Sequence, residues 1–219
     1  MIDLSDVESQ YEEVKDTVAQ RMDQFHSLRD SSNERLFQEL VFVILSSQTD
    51  AEQAWNAAAK LEELNLLRGT EAEIVEILEQ YDIQYERKKA GQILKARNEL
   101  SQPTLTNPTN ELTIKGRLPL ENPEKARKWL VENIPGIGLK GASHFLRNIG
   151  YGEDLGIASR HTLAVLDELG FLEDASPPSN IEEYGKMEEA MRELGEELGI
   201  PVGAIDLVLW SMKTGKVFR

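Results

Sequence analysis

The segment Ile134-Pro-Gly-Ile-Gly-Leu-Lys-Gly-Ala-Ser-His-Phe-Leu-Arg-Asn148 sets Gly136 and Gly138 around the single apolar residue Ile137, between two stretches of helical period. Glycine takes positive φ without steric penalty, so a turn this tight can link two helices and leave its backbone amides exposed. The second helix is expected to start at about Leu139. Its unbonded N–H groups, with the positive end of the helix dipole behind them, form an anion site suited to a phosphate. Lys140 lies in the same first turn, so a phosphate grip and an amine nucleophile share one short motif. The plainer reading is an αα-hairpin with a solvated lysine. Pro135 stiffening the turn and the polar series Ser143, His144, Arg147 and Asn148 favour the chemical one.

This segment resembles the helix-hairpin-helix of DNA glycosylases, and Lys-x-Ala-Ser-His-Phe-Leu-Arg-Asn in particular resembles the archaeal 8-oxoguanine DNA glycosylase/AP lyase family. The resemblance extends from Arg21 to Arg219, with the hairpin and the C-terminus as its specific parts. It implies that Gly136, Ile137, Gly138 and Arg147 bind the DNA backbone and that Lys140 attacks the sugar. Ser143 is then expected in the base pocket.

Three further stretches carry chemistry. Leu45-Ser-Ser-Gln-Thr-Asp50 is a polar turn directly after an apolar helix, with Thr49 or Asp50 as the N-cap of the next helix. A similar turn in endonuclease III-like glycosylases implies that Gln48 enters the gap left by an extruded base. Tyr85-Glu-Arg-Lys-Lys sets an aromatic beside cations, a combination that stacks on bases and grips phosphates; it also suits a helix end resting a ring on the core. By resemblance, Tyr85 wedges near the orphaned partner base, with Arg87 on the backbone. The ending Trp210-Ser-Met-Lys-Thr-Gly-Lys-Val-Phe-Arg219 reads as a docked terminus. The resemblance implies that this ending closes the base pocket, where the α-carboxylate of Arg219 meets the modified purine; Trp210 can stack on the base there, although a lone helical tryptophan is more often core. The archaeal relatives end in lysine, where this chain has arginine.

The chain departs from the family at one position. The pattern Ile-x-Asp-Arg-His should supply an aspartate that stabilises positive charge on the sugar, 19 residues after the lysine, and the matching stretch is Ile157-Ala-Ser-Arg-His161. Ser159 stands at the aspartate position. Serine and aspartate are both good N-caps, so the following helix tolerates either. A hydroxyl supplies no negative charge, and such electrostatic terms are among the largest in catalysis. Natural loss, a shifted substrate range and an engineered substitution all fit. Rescue by Asp154 or Glu153 is disfavoured by the intervening loop.

The elements that must position these residues read as helical throughout. Leu4, Val7, Tyr11, Val14, Val18, Met22 and Phe25 recur at steps of three and four, with Ser5 and Glu8 as a capping box. A helix over 33–46 is apolar nearly all round and belongs in the middle of a core. Further helices are expected near 50–61, 70–81, 85–100, from 123 through Trp129 and Leu130 into the hairpin, and near 160–169, 180–198 and 201–213. Asn122-Pro123 is an N-cap followed by proline at the first helical position. Residues 101–120, with Pro103, Pro108 and Pro119, read as a long irregular connection.

The 219 residues carry a net charge of −15 and no cysteine. Disulfides, thiolate zinc sites and cysteine-ligated iron–sulfur clusters are thereby excluded. The acidity runs against nucleic-acid binding, which needs lysine and arginine, unless the charges segregate. Residues 87–160 are the base-rich stretch, including Arg87, Lys88, Lys89, Arg127 and Lys140; adaptation to a salty cytoplasm also fits the acidity. No apolar signal segment or membrane-spanning run is seen, so a soluble, cytoplasmic monomer at work on the nucleoid is expected.

The fold class is all-α, and the resemblance implies a two-lobed helix-hairpin-helix glycosylase fold with the base cleft between lobes. The lobes are placed at 31–152, with the hairpin at about 123–151, and at 1–30 plus 153–219. The partner is damaged double-stranded DNA and the implied lesion is 8-oxoguanine. No metal ligand or cofactor is implied, although such a hairpin can hold potassium or sodium through carbonyls. Partial burial is expected to lower the Lys140 pKa from roughly 10.4. The alternative is a non-catalytic or altered-specificity DNA-binding protein of the same fold, which Ser159 favours.

Overall fold

The computed structural model describes residues 2–63, 68–103 and 111–219, and most of the 101–111 part of the expected irregular connection lies outside them. Among the described residues the regular structure is α1 (Leu4–Ser27), α2 (Asn33–Ser46), α3 (Ala51–Glu63), α4 (Glu71–Gln80), α5 (Glu86–Leu100), α6 (Pro123–Asn133), α7 (Leu139–Asn148), α8 (Arg160–Glu168), α9 (Ile181–Leu198) and α10 (Val202–Thr214), with one 3₁₀ turn at Leu28–Asp30 and no strand. The chain is all-α. No helix of the described residues is long and apolar enough to cross a membrane.

The chain divides into two compact units, residues 30–145 and residues 1–29 with 146–219. In the first, α2 is the central element, and Leu36 through Leu45 are all buried. A helix apolar on every side has no face to give to water, so α3 and α5 cover it while α4 closes on both. Its one buried carboxylate, Glu39, is paired with Arg35 at 2.8 Å, and Arg35 lies over the Trp55 ring.

The second unit is built on α10, whose residues Val202–Leu209 are buried beneath α1, α8 and α9. α1 contributes Val7, Val18, Met22 and Phe25, the inner part of the stripe read from its sequence. Its cap differs from the expected Ser5–Glu8 box. Asp3 accepts from the Asp6 amide while Asp6 accepts from the Asp3 amide, and Ser5 donates to Asp3. The same three-residue spacing recurs two positions earlier with a carboxylate at each end, and a carboxylate also suits the helix N-terminus.

Candidate active site

The hairpin is assembled by caps at both of its helices. Asn122 accepts from the Lys125 amide and Pro123 opens α6. Ile134 and Ile137 turn inward and are buried, the Ile137 amide donating to the Ile134 carbonyl at 3.2 Å. Gly136 sits at φ +90°, a left-handed conformation that only glycine holds cheaply, and a Cβ there would overlap the Gln92 amide. Gly138 corrects the expectation from sequence. It has no positive φ and open space beside its Cα; its part is to cap α7, its carbonyl accepting from Ala142 at 2.9 Å.

Among the described residues none accepts a hydrogen bond from the amides of Gly138, Leu139 or Lys140. Unbonded amides at the positive end of a helix dipole are what an anion site of the expected kind requires. Lys140 is exposed, so the partial burial expected of it is not found. Ile137 has a buried side chain and can meet a phosphate only through its backbone.

Two further assignments on α7 change. Ser143 is fully buried and accepts from Arg127 at 3.2 Å, tying α7 to α6, so it is not presented to a base. Arg147 is 1% exposed, with its guanidinium 4.7 Å from the centre of the Phe25 ring and donating to the Gly203 carbonyl. It is a core cation, not a DNA contact. Both sit on the inward face of α7, and their polarity serves packing.

Gly136→Ala is expected to destabilise the chain by about 1–2 kcal/mol, the usual scale for a forced left-handed residue. It should also weaken binding to damaged and undamaged duplex alike, because phosphate contacts carry no sequence information. Thermal unfolding and duplex titration measure the two effects; unchanged affinity for both duplexes would remove the hairpin from the DNA interface.

The turn after α2 holds Gln48 exposed at φ +56°, and Tyr85, which is 59% exposed, caps α5 at φ +60°. Left-handed backbone at residues other than glycine is strained and persists where the surroundings over-determine it. Lys89 supplies the constraint. Its ammonium donates to the Leu45 carbonyl at 2.8 Å, the Ser47 carbonyl at 2.6 Å and the Thr49 hydroxyl at 2.9 Å. Thr49 also accepts from the Gln84 amide, which leaves Asp50 as the cap of α3. One cation thus braces both the Gln48 turn and the approach to Tyr85.

Lys89 and Arg127 therefore leave the expected basic surface, since both are buried. In the same unit Arg87, Lys88, Lys95, Lys115, Lys125, Lys128 and Lys140 remain exposed. Burial draws the Lys89 ammonium from 10.5 down to about 8. The folded chain gives up this proton near pH 8 and the unfolded chain only near 10.5, so stability gained through this group rises with pH across that window. Wild-type protein should gain on the order of 3 kcal/mol more than Lys89→Met over that range, from a shift worth about 1.4 kcal/mol per pH unit. Parallel pH–stability curves for the two proteins would contradict this.

In the other unit Ser159 is the N-cap of α8, at φ −76° and ψ 157°, accepting from the Thr162 amide at 3.1 Å. Its hydroxyl lies 2.8 Å from the Thr162 hydroxyl, which in turn donates to the Asp206 carboxylate at 2.9 Å. All three residues are buried. Asp154 is exposed, and Glu153 faces His26 at 3.5 Å. Asp206 was not singled out in the sequence; the available signal was a lone carboxylate inside an otherwise apolar helix. Trp210 is half-buried and meets the His161 ring edge-on, with centroids 5.0 Å apart. Gly215 at φ +70° ends α10, and the Arg219 guanidinium lies 5.9 Å from the centre of the Phe25 ring. The terminus is docked by these last residues.

A family model described as 8-oxoguanine DNA glycosylase matches residues 18–200. The chain belongs to the 8-oxoguanine DNA glycosylase family. A curated relative from Methanocaldococcus jannaschii, an 8-oxoguanine DNA glycosylase/AP lyase, is 33% identical over 207 residues, covering 94% of each chain. One of the same description from Fusobacterium nucleatum is 30% identical over 98% of this chain and 97% of its own. The crystal structure of the M. jannaschii glycosylase/lyase in complex with a 15mer DNA containing 8-oxoguanine superposes with a TM-score of 0.83, at 32% identity over 97% of this chain and 99% of that one. The family match takes in the Gln48 turn, the hairpin and Ser159, and stops short of α10. The likeness of α10 to the 8-oxoguanine DNA glycosylases rests on the longer alignments.

Proposed function

We propose that this chain removes 8-oxoguanine from duplex DNA and cleaves the strand through a Schiff base on Lys140, with base excision slowed by serine at position 159. The observation that carries the reading is the exposed Lys140 in the first turn of α7, beside amides that bond no described residue. Family membership over residues 18–200 supports it.

The hairpin amides would hold the phosphate backbone while the lesion is turned out of the stack. The Lys140 amine, deprotonated, would form a bond to C1′ as the glycosidic bond breaks and the base departs with its electron pair and a proton. Ring opening gives the Schiff base. Loss of a C2′ proton then expels the 3′ phosphate by β-elimination. Positive charge builds on the sugar as the base leaves, and here Ser159 offers a hydroxyl dipole where the family pattern has a carboxylate. The second reading, a DNA-binding member without base excision, is favoured by Ser159 alone.

Incubation with duplexes carrying 8-oxoguanine or an abasic site, with and without borohydride, separates the readings. Covalent adducts with abasic DNA and slow release of 8-oxoguanine are expected; duplex binding without any adduct would sink the enzyme reading. If the Arg219 carboxylate meets the base, deleting Phe218 and Arg219 should lower discrimination between 8-oxoguanine and guanine by about tenfold, the scale of a buried hydrogen bond to a charged group. The abasic-site reaction needs no base contact and should be spared. Equal loss on both substrates would assign the terminus a structural role.

A further inference from the structure

We infer that Asp206, acting through the Thr162 hydroxyl, fixes the Ser159 hydroxyl as a hydrogen-bond acceptor and supplies the negative charge that remains at that position. The inference rests on the reading of Ser159 as the residue standing where the family places its charge-stabilising aspartate.

The direction of the hydrogen bonds carries the argument. Thr162 has one hydroxyl proton, and it goes to the Asp206 carboxylate at 2.9 Å. Thr162 then has only lone pairs to offer Ser159, so the 2.8 Å contact between the two hydroxyls is a donation from Ser159. Ser159 also accepts from the Thr162 amide. With its proton committed and one lone pair used, its oxygen keeps a single free lone pair, and acceptance is the one role left to it. A serine without this chain could present its proton instead, with a dipole of the wrong sign for a cationic sugar.

Asp206 is 5% exposed, Ser159 5% and Thr162 is fully buried. Away from water such a chain polarises along its length, each bond strengthening the next. A carboxylate two hydroxyls away is a weaker stabiliser than one at position 159 itself, so excision is expected to be slowed and not absent. Asp206 is therefore a positioning residue acting through Ser159. The α8 helix does not need it, since the cap is made by Ser159 and the Thr162 amide.

The test compares single-turnover excision of 8-oxoguanine with borohydride trapping on an abasic duplex. Thr162→Val keeps shape and removes the hydroxyl, Thr162→Ser keeps the hydroxyl, and Asp206→Asn removes the charge. Thr162→Val and Asp206→Asn should each lower excision by about tenfold, with trapping reduced far less. Thr162→Ser should retain most of the rate. In a Ser159→Asp background, where a carboxylate is present directly, Asp206→Asn should change excision by less than about twofold, since the two charges act as one unit.

Three results would overturn the inference: excision unaffected by Thr162→Val, equal loss in Thr162→Ser and Thr162→Val, or the same Asp206→Asn penalty in both backgrounds. No detectable excision by the wild-type chain would do so as well. Absence of a Lys140-dependent adduct would instead defeat the proposed function. Thermal unfolding identifies a variant that merely fails to fold, and the Thr162 pair decides the matter if Asp206→Asn is such a variant.

Discussion

Lys140→Gln is expected to abolish the borohydride-trapped adduct with abasic DNA and to lower strand cleavage by more than about a thousandfold, since no neighbouring step substitutes for a lost nucleophile. The substitution retains polarity and all but one atom of the length, and removes the amine. Lys140 is exposed at the start of α7, so the variant should fold and keep the hairpin. It also removes one cation from the proposed DNA face. Duplex affinity should fall modestly, and the slope of log affinity against log salt should drop by about 0.9, the share of one phosphate contact. The two effects differ by orders of magnitude and are read separately. A variant that still traps DNA would place the nucleophile on another exposed amine. Lys89 is a poor candidate for that, because its three donors are committed to Leu45, Ser47 and Thr49.

Local pattern specified the helices well, most clearly where a start carries its own capping chemistry. Thr70 with Glu73, Asn122 with Pro123 and Asn180 with Glu183 all cap the helices that follow them. The all-round apolar character of 36–45 likewise announced a central helix. The site could be read from sequence as far as the positive φ of Gly136 and the exposure of Lys140, Gln48 and Tyr85. It was misread where a charged residue turned out to be buried. Lys89, Arg127 and Arg147 look like surface cations in sequence, since type and spacing do not reveal which acceptor waits inside. Lys89 meets a carbonyl 44 residues away, and Thr162 meets Asp206 at the same separation. No 3.6-residue period encodes a pairing of that range. Gly138 failed for a related reason: two glycines in one turn look alike, and only the backbone path shows that Gly136 alone carries the positive φ.

Ser159→Asp is expected to raise 8-oxoguanine excision by roughly 10²-fold or more, the scale of a preorganised charge-stabilising group. The fold should not resist the exchange. Ser159 holds α8 by accepting from the Thr162 amide in extended backbone, and an aspartate carboxylate makes the same cap with comparable strength. Binding should change little, because the residue is buried and its present bonds are to Thr162. Trapping on an abasic site should gain less than excision, since the aldehyde needs an amine but no departing base. The expected signature is therefore selective: a large gain in single-turnover base release, a small gain in adduct formation and a nearly constant affinity. An equal gain in all three would mean that the substitution improved folding, and no gain in release would mean that the charge already comes from elsewhere. Asp206 would then be the residue to replace before Asp154, since Asp206 is joined to Ser159 through Thr162 and Asp154 lies exposed.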